Sequence, residues 1–107
     1  MAKMAKVYDI IDFENQYHFQ CPSDVYILDA AEDAGRTDLP YSDRAGASYT
    51  SAARLISGKI DQSEDWILDD AQKAAGFFLT DNTYPLSDCV VRFFAEEELM
   101  NWVPGTV

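Results

Sequence analysis

The side chains able to do chemistry in this sequence are mainly oxygen donors. Two stretches concentrate them, Pro40-Tyr41-Ser42-Asp43-Arg44-Ala45-Gly46-Ala47-Ser48-Tyr49-Thr50-Ser51 and Leu79-Thr80-Asp81-Asn82-Thr83-Tyr84-Pro85-Leu86-Ser87-Asp88-Cys89. Carboxylate and hydroxyl oxygens suit hard ions, whereas soft metals and clusters call for thiolates. The softer donors are sparse. Cys21 and Cys89 are the only cysteines, too few and too far apart in sequence to form a metal motif alone. They read as reduced, half-buried thiols packing as small apolar residues, with a disulfide between them left open. His18 is the only histidine and has no ligand-type residue beside it, so it reads as a solvent-facing strand residue. No nucleophile–base pair or ligand cluster is recognisable, and the chain is expected not to be an enzyme.

The elements that position these residues follow from periodicity. Residues 6–13 and 16–21 are rich in β-formers around a short turn at Glu14-Asn15, which predicts a hairpin. In its second strand Tyr17, Phe19 and Cys21 share one face, leaving His18 and Gln20 on the other. Pro22-Ser23 is expected to open a helix through about Ala34, with Ser23 as N-cap, Gly35 as the stop and Ile27, Ala30, Ala31 and Ala34 as the buried stripe. After the polar link Arg36-Thr37-Asp38 comes the loop 40–51. Residues 53–57 read as a strand, 59–61 as a short return strand and 64–72 as a second, short helix. A buried strand at 77–79 leads straight to Asp81, 90–94 is the last long strand, and 95–100 is expected to form a terminal turn of helix.

The two oxygen-rich stretches, together with Val25-Tyr26-Ile27-Leu28-Asp29-Ala30-Ala31-Glu32 and Ser57-Gly58-Lys59-Ile60-Asp61-Gln62-Ser63, stand in the order and spacing of photosynthetic plant-type [2Fe–2S] ferredoxins. The chain resembles that family over roughly residues 6–100. The resemblance implies an α+β, β-grasp fold: a mixed sheet with one main helix and one or two short ones. Family members hold their cluster with cysteines spaced C-x₄-C-x₂-C and a distant fourth. That spacing places the four ligand positions at Asp43, Ser48, Ser51 and Asp81, none of them cysteine. The family cofactor is therefore expected to be absent. The preferred expectation is a loop held by hydrogen bonds among hydroxyls, carboxylates and backbone amides, Asp43 and Arg44 among them. The alternatives are a hard-metal site with Asp43 and Asp81 as ligands, and an altered cluster on oxygen ligands. Tyr49 is expected either to fill cluster space or to project from the surface.

In ferredoxins the acidic patches and an aromatic residue dock basic partners. The matching positions here are Asp61, Glu64, Asp65, Trp66, Asp69 and Asp70, with Glu96, Glu97 and Glu98 near the end. Trp102 lies in a C-terminal extension, 101–107, expected to pack on its own domain or to anchor on a neighbour. Candidate partners implied by the resemblance are photosystem I, ferredoxin–NADP reductase or an NDH-type complex. The expected role is a cluster-free interaction module, either a structural subunit of a photosynthetic or respiratory electron-transfer complex or a regulator of a ferredoxin-docking site. An electron carrier or metal-binding protein with an oxygen-ligand site is the rival.

The whole-chain figures fit. A chain of 107 residues suits one domain, 1–107, long enough to bury a core without metal or disulfide. Nineteen acids against eight bases give a net charge of −11, which disfavours nucleic acid and anionic membranes and favours a basic protein partner. No apolar run approaches the length of a membrane span, and residues 1–6 lack a signal-peptide core or an arginine-rich transit segment. The resemblance points to a soluble or peripheral protein of a cyanobacterial cytoplasm or plastid stroma.

Overall fold

The computed structural model describes residues 5–105. The start of the chain, read above for targeting signals, and the last two residues of the C-terminal extension lie outside them. In chain order the elements are β1 (Val7–Asp12), β2 (His18–Pro22), α1 (Ile27–Asp33), a 3₁₀ turn (Tyr49–Ser51), β3 (Ala52–Ser57), β4 (Ile60–Asp61), α2 (Asp70–Ala74), β5 (Phe77–Leu79), β6 (Tyr84–Pro85), β7 (Cys89–Arg92) and α3 (Glu96–Asn101). Five strands form one sheet in the order β2-β1-β7-β3-β5, and β4 pairs with β6 in a small second sheet. The β1–β7 pairing is parallel and the others are antiparallel, so the main sheet is mixed. This is the α+β, β-grasp arrangement.

Alternation along the strands builds two cores. On one face Ile10, Phe19, Cys21, Ala53, Phe78, Val91 and Phe93 pack against Ile27, Leu28, Ala30 and Ala31 of α1. Each large apolar side chain fully buried there contributes roughly 1.5–3 kcal/mol. On the other face Ala52, Phe77 and Leu79 meet Leu68, Ala95 and Leu99, with Trp102 and Tyr49 packed at the margin. Trp102 sits edge-on to Phe77 with ring centroids 5.9 Å apart, so this part of the extension packs on its own domain.

Several local expectations are corrected. The main helix begins at Ile27, not after Ser23, because Ser23 N–H donates to Lys6 O and extends the β1–β2 ladder. Its N-cap is Tyr26, with no side-chain cap, and its buried residues include Leu28 while Ala34 is exposed. Gly35 does end it, at φ +94°, a backbone conformation that glycine adopts without penalty. The second helix starts at Asp70 because Asp69 and Gln72 form a capping box, Asp69 accepting from Gln72 N–H and Gln72 from Asp69 N–H. Arg36, read as part of a polar link, is 8% exposed. It reaches under the β1–β2 turn to Asp12, Nη1 to Oδ2 2.6 Å, and lies over the rings of Phe93 and Tyr17 at 5.0 and 5.4 Å. Burial works against this cation, but its bonds to Asp12 and Asp38 outweigh that cost and raise its pKa.

Cys21 and Cys89 are free and buried on the same face. Cys21 lies opposite Tyr8 and Cys89 opposite Ile10, so β1 runs between them. Two strand spacings amount to about 9.6 Å, beyond the roughly 7 Å that a disulfide spans between Cα atoms. Burial, the largest cause, pushes the Cys21 thiol up to about 12.

Candidate functional site

The loop 40–51 is shaped by its backbone before its side chains. Arg44 at φ +57° and Gly46 at φ +72° both take left-handed conformations and turn the chain sharply. Gly46 is favoured as well by close approach, since a Cβ there would run into the side-chain amide of buried Asn82. The loop then enters the 3₁₀ turn and β3, while Asp81 follows β5, the strand paired with β3. Adjacent strands thus bring the two oxygen-rich stretches together.

The four expected ligand positions divide into two pairs. Asp81 and Ser51 are buried and in contact: Ser51 Oγ–H donates to Asp81 Oδ1 at 3.1 Å, and Gly46 N–H donates to Asp81 Oδ2 at 3.1 Å. The carboxylate therefore ties the loop to the turn after β5. Asp43 and Ser48 are turned to other tasks. Asp43 Oδ1 accepts from Ala45 N–H at 3.0 Å, a bond within the loop. Ser48 Oγ is 2.7 Å from Ser42 Oγ, donates to Thr50 Oγ1 and accepts from Thr50 N–H. Among the described residues no group of three or more His, Cys, Asp or Glu side chains comes together as a metal site. Asn82 Nδ2 and Thr80 Oγ1 beside Asp81 are buried without a hydrogen-bond partner.

Two neighbours behave differently from expectation. Arg44 does not pair with Asp43 but reaches α1, bonding Glu32 at 2.6 Å and Asp29 at 3.1 Å, and its guanidinium lies 4.0 Å over the Tyr41 ring. The contact with Glu32 first, then that with Tyr41, raises its pKa. Tyr49 neither fills the loop nor projects freely; it packs against the second core.

The acidic face is built beside this loop. Trp66 is 67% exposed, and its indole N–H donates to Ala45 O at 3.4 Å, which fixes the ring at the rim of the loop. Asp61, Glu64, Asp69 and Asp70, near it in sequence, are partly or fully exposed. Hydrogen bonds from Ser63 hold Asp61 below the usual carboxylate range. Glu64 accepts from Tyr26 O–H at 2.6 Å, and the Tyr26 ring stacks on Tyr84 with centroids 4.7 Å apart. The bond to Glu64 is the first cause of the raised Tyr26 pKa. Sequence reasoning missed this trio, although both tyrosines lie in the stretches that carry the resemblance.

Other acids are engaged inside the protein. The Asp65 side chain is 1% exposed, accepts from Leu68 N–H and lies 3.4 Å from Lys73 Nζ. Glu98 is held by Arg54 at 2.6 Å and by Arg92 at 2.7 Å. Glu96 accepts from Thr50 Oγ1 at 3.5 Å and Glu97 is exposed. Trp102 is packed on Phe77, as described above.

Comparison with known proteins agrees with this geometry. The family model for the 2Fe-2S iron–sulfur cluster binding domain matches residues 10–86. The chloroplastic Ferredoxin-6 of Zea mays is 49% identical over 84 residues, covering 78% of this chain and 54% of that protein. Ferredoxin-2 of Leptolyngbya boryana is 39% identical over 77 residues, covering 72% of this chain and 77% of that one. This chain thus spans about half the length of the maize relative. Among solved structures, pectocin M2 is 36% identical with a TM-score of 0.82, covering 88% of this chain and 35% of its own. The ferredoxin reductase of carbazole 1,9a-dioxygenase, 20% identical with a TM-score of 0.73 over 95% of this chain, shares the fold.

These matches correct one expectation. The group that goes with this family is [2Fe–2S], so the expectation that no cofactor belongs here is overturned by the family match and its ferredoxin relatives. The donor set does not fit the thiolate-held form of that group, since Asp43, Ser48, Ser51 and Asp81 offer only oxygen and both Asp81 oxygens already accept hydrogen bonds. No electron step is assigned to these four side chains.

Proposed function

Because the chain belongs to the plant-type [2Fe–2S] ferredoxin family, we propose that it works in electron transfer through docking. Its acidic face, centred on Trp66, seats on a basic surface of an electron-transfer protein, with the chain acting as a subunit of a photosynthetic or respiratory complex or as a regulator of a ferredoxin-docking site. The observation that carries this reading is the Trp66 ring, 67% exposed yet held to Ala45 O, amid exposed Glu64, Asp69 and Asp70. Exposed, pre-positioned tryptophan is the kind of residue that dominates interface energy. A net charge of −11 steers a basic partner towards it. Within the set read from sequence, exposure supports Asp61, Glu64, Trp66, Asp69, Asp70, Glu96 and Glu97 as the contact residues. Asp65, Glu98 and Trp102 serve the domain itself. The chloroplastic and cyanobacterial relatives support a plastid or cyanobacterial cytoplasm as the setting for such a role, and among the described residues no helix is long and apolar enough to cross a membrane.

A titration with plant-type ferredoxin–NADP reductase at rising salt tests the reading. The expected result is binding that weakens with salt and is lost on Asp70→Lys combined with Glu97→Lys. Binding indifferent to both would refute it. The second reading, electron carriage by the chain itself, is favoured by the family match. Iron, acid-labile sulfide and the visible spectrum of anaerobically purified protein separate the two, with about two irons and two sulfides per chain marking a carrier.

A further inference from the structure

The second face of the main sheet is covered over only half its width. Ala52, Arg54, Phe77 and Leu79 of β3 and β5 lie under α3 and Trp102, and Glu98 anchors the helix to Arg54 and Arg92. Among the described residues no helix covers the same face over β2, β1 and β7. The register aligns Val7 with Pro22, Asp9 with Gln20 and Ile11 with His18 across β1–β2, and Ile11 with Val90 across β1–β7. Alternation puts Asp9, Ile11, His18 and Val90, with Phe13 just beyond β1, on the face away from α1, while at the sheet edge Val7, Gln20 and Pro22 also line a groove with Ala30 and Asp33 of α1. Val7 is 53% and Phe13 49% exposed, and Ile11 and Val90 are half-buried. An apolar stripe thus crosses a sheet face of which α3 takes only one side.

We infer that this open face is a second docking surface, and that its occupant is a basic amphipathic helix of a partner protein. The covered half shows how the face is closed, by a helix laying one apolar residue, Leu99, on the sheet and turning Glu98 to the two arginines. On the open half the signs are reversed. Arg92 is already paired with Glu98, and among the described residues this half carries the acids Asp9 and exposed Asp88, joined by a bond from Asp9 N–H to Asp88 Oδ1 of 2.9 Å. Apolar residues flanked by bases complement that pattern. A second copy of this chain does not, since each copy carries −11. The surface is separate from the Trp66 face and does not rest on the role proposed for it.

The test is an amide NMR titration of the whole chain with a synthetic leucine–lysine amphipathic helix, alongside the same peptide scrambled to lose its apolar face. Shifts clustered at Val7, Asp9, Ile11, Phe13 and Val90, with affinity falling at least about fivefold in Val7→Ser and Phe13→Ser and unchanged in Trp66→Ala, are expected. Both serine variants alter exposed positions, and their dispersed spectra report that the fold is retained. Shifts confined to residues 61–70, or equal binding of the scrambled peptide, would overturn the inference. So would concentration-dependent dimerisation of the protein alone through this face.

Discussion

Ser51 and Asp81 meet at the base of the loop, Oγ to Oδ1 at 3.1 Å, with both residues buried and Gly46 N–H on the other carboxylate oxygen. One side chain therefore joins the turn after β5 to both ends of the loop's second half. Asp81→Ala removes the acceptor from two buried donors, each costing about 1–3 kcal/mol when unpaired. Urea unfolding should show a loss of about 2–4 kcal/mol, and Asp81→Asn, which keeps one acceptor oxygen, a smaller one. An alanine variant as stable as the parent would contradict the bonding described.

The Arg36–Asp12 pair is nearly dry, with side chains 7% and 3% exposed, whereas Arg44 and Glu32 are 41% and 26% exposed. Removing one partner of a buried pair strands the other charge. Asp12→Ala should cost about 3–5 kcal/mol, and Glu32→Ala no more than about 1 kcal/mol. Denaturant midpoints at constant m-value check the contrast, and equal losses would contradict it.

The Cys21 thiol titrates at about 12 in the folded protein against an ordinary value of 9.0. Between those values the native state keeps a proton that the unfolded chain releases, so the native state binds more protons and stability falls as pH rises. The contribution is complete below about pH 9 and lost as pH rises through about 12. Cys21→Ala should flatten alkaline unfolding over that window. In the native protein neither thiol should react with an alkylating reagent at pH 8, and both should react in denaturant, as read by mass spectrometry. Rapid native labelling would contradict their burial.

Glu98 bonds two arginines and thereby holds α3 and Trp102 on the sheet. Glu98→Ala should loosen the helix, cost up to about 1 kcal/mol for each of the two part-exposed ion pairs, and shift Trp102 emission to the red, measured in a Trp66→Phe background. Unchanged emission would show that Leu99 and Phe77 suffice.

Strand alternation made most of the fold legible. The faces of Phe19, Cys21, His18 and Gln20 follow from period two alone, the strand at 77–79 lies where its apolar run places it, and the terminal helix lies close to the expected 95–100. The start of α1 was not legible, because Pro22-Ser23-Asp24 has the composition of a cap while the backbone of Ser23 is taken by Lys6 across the hairpin. In the site, spacing identified Asp43, Ser48, Ser51 and Asp81, but only the fold shows that two of them touch. Acid clusters read alike in sequence; burial separates Asp65, beside Lys73, from exposed Asp70. Long-range partners such as Arg36–Asp12 and Arg54–Glu98 carry no local signal.

The central claim is that Trp66, exposed and fixed to the loop, anchors a basic electron-transfer partner. Calorimetric titration of the parent and Trp66→Ala proteins with plant-type ferredoxin–NADP reductase at low and moderate salt tests it most directly. Truncation should weaken binding at least about tenfold and leave thermal unfolding unchanged, because two-thirds of the side chain lies in solvent. Equal affinity of the two proteins for the reductase would contradict the account.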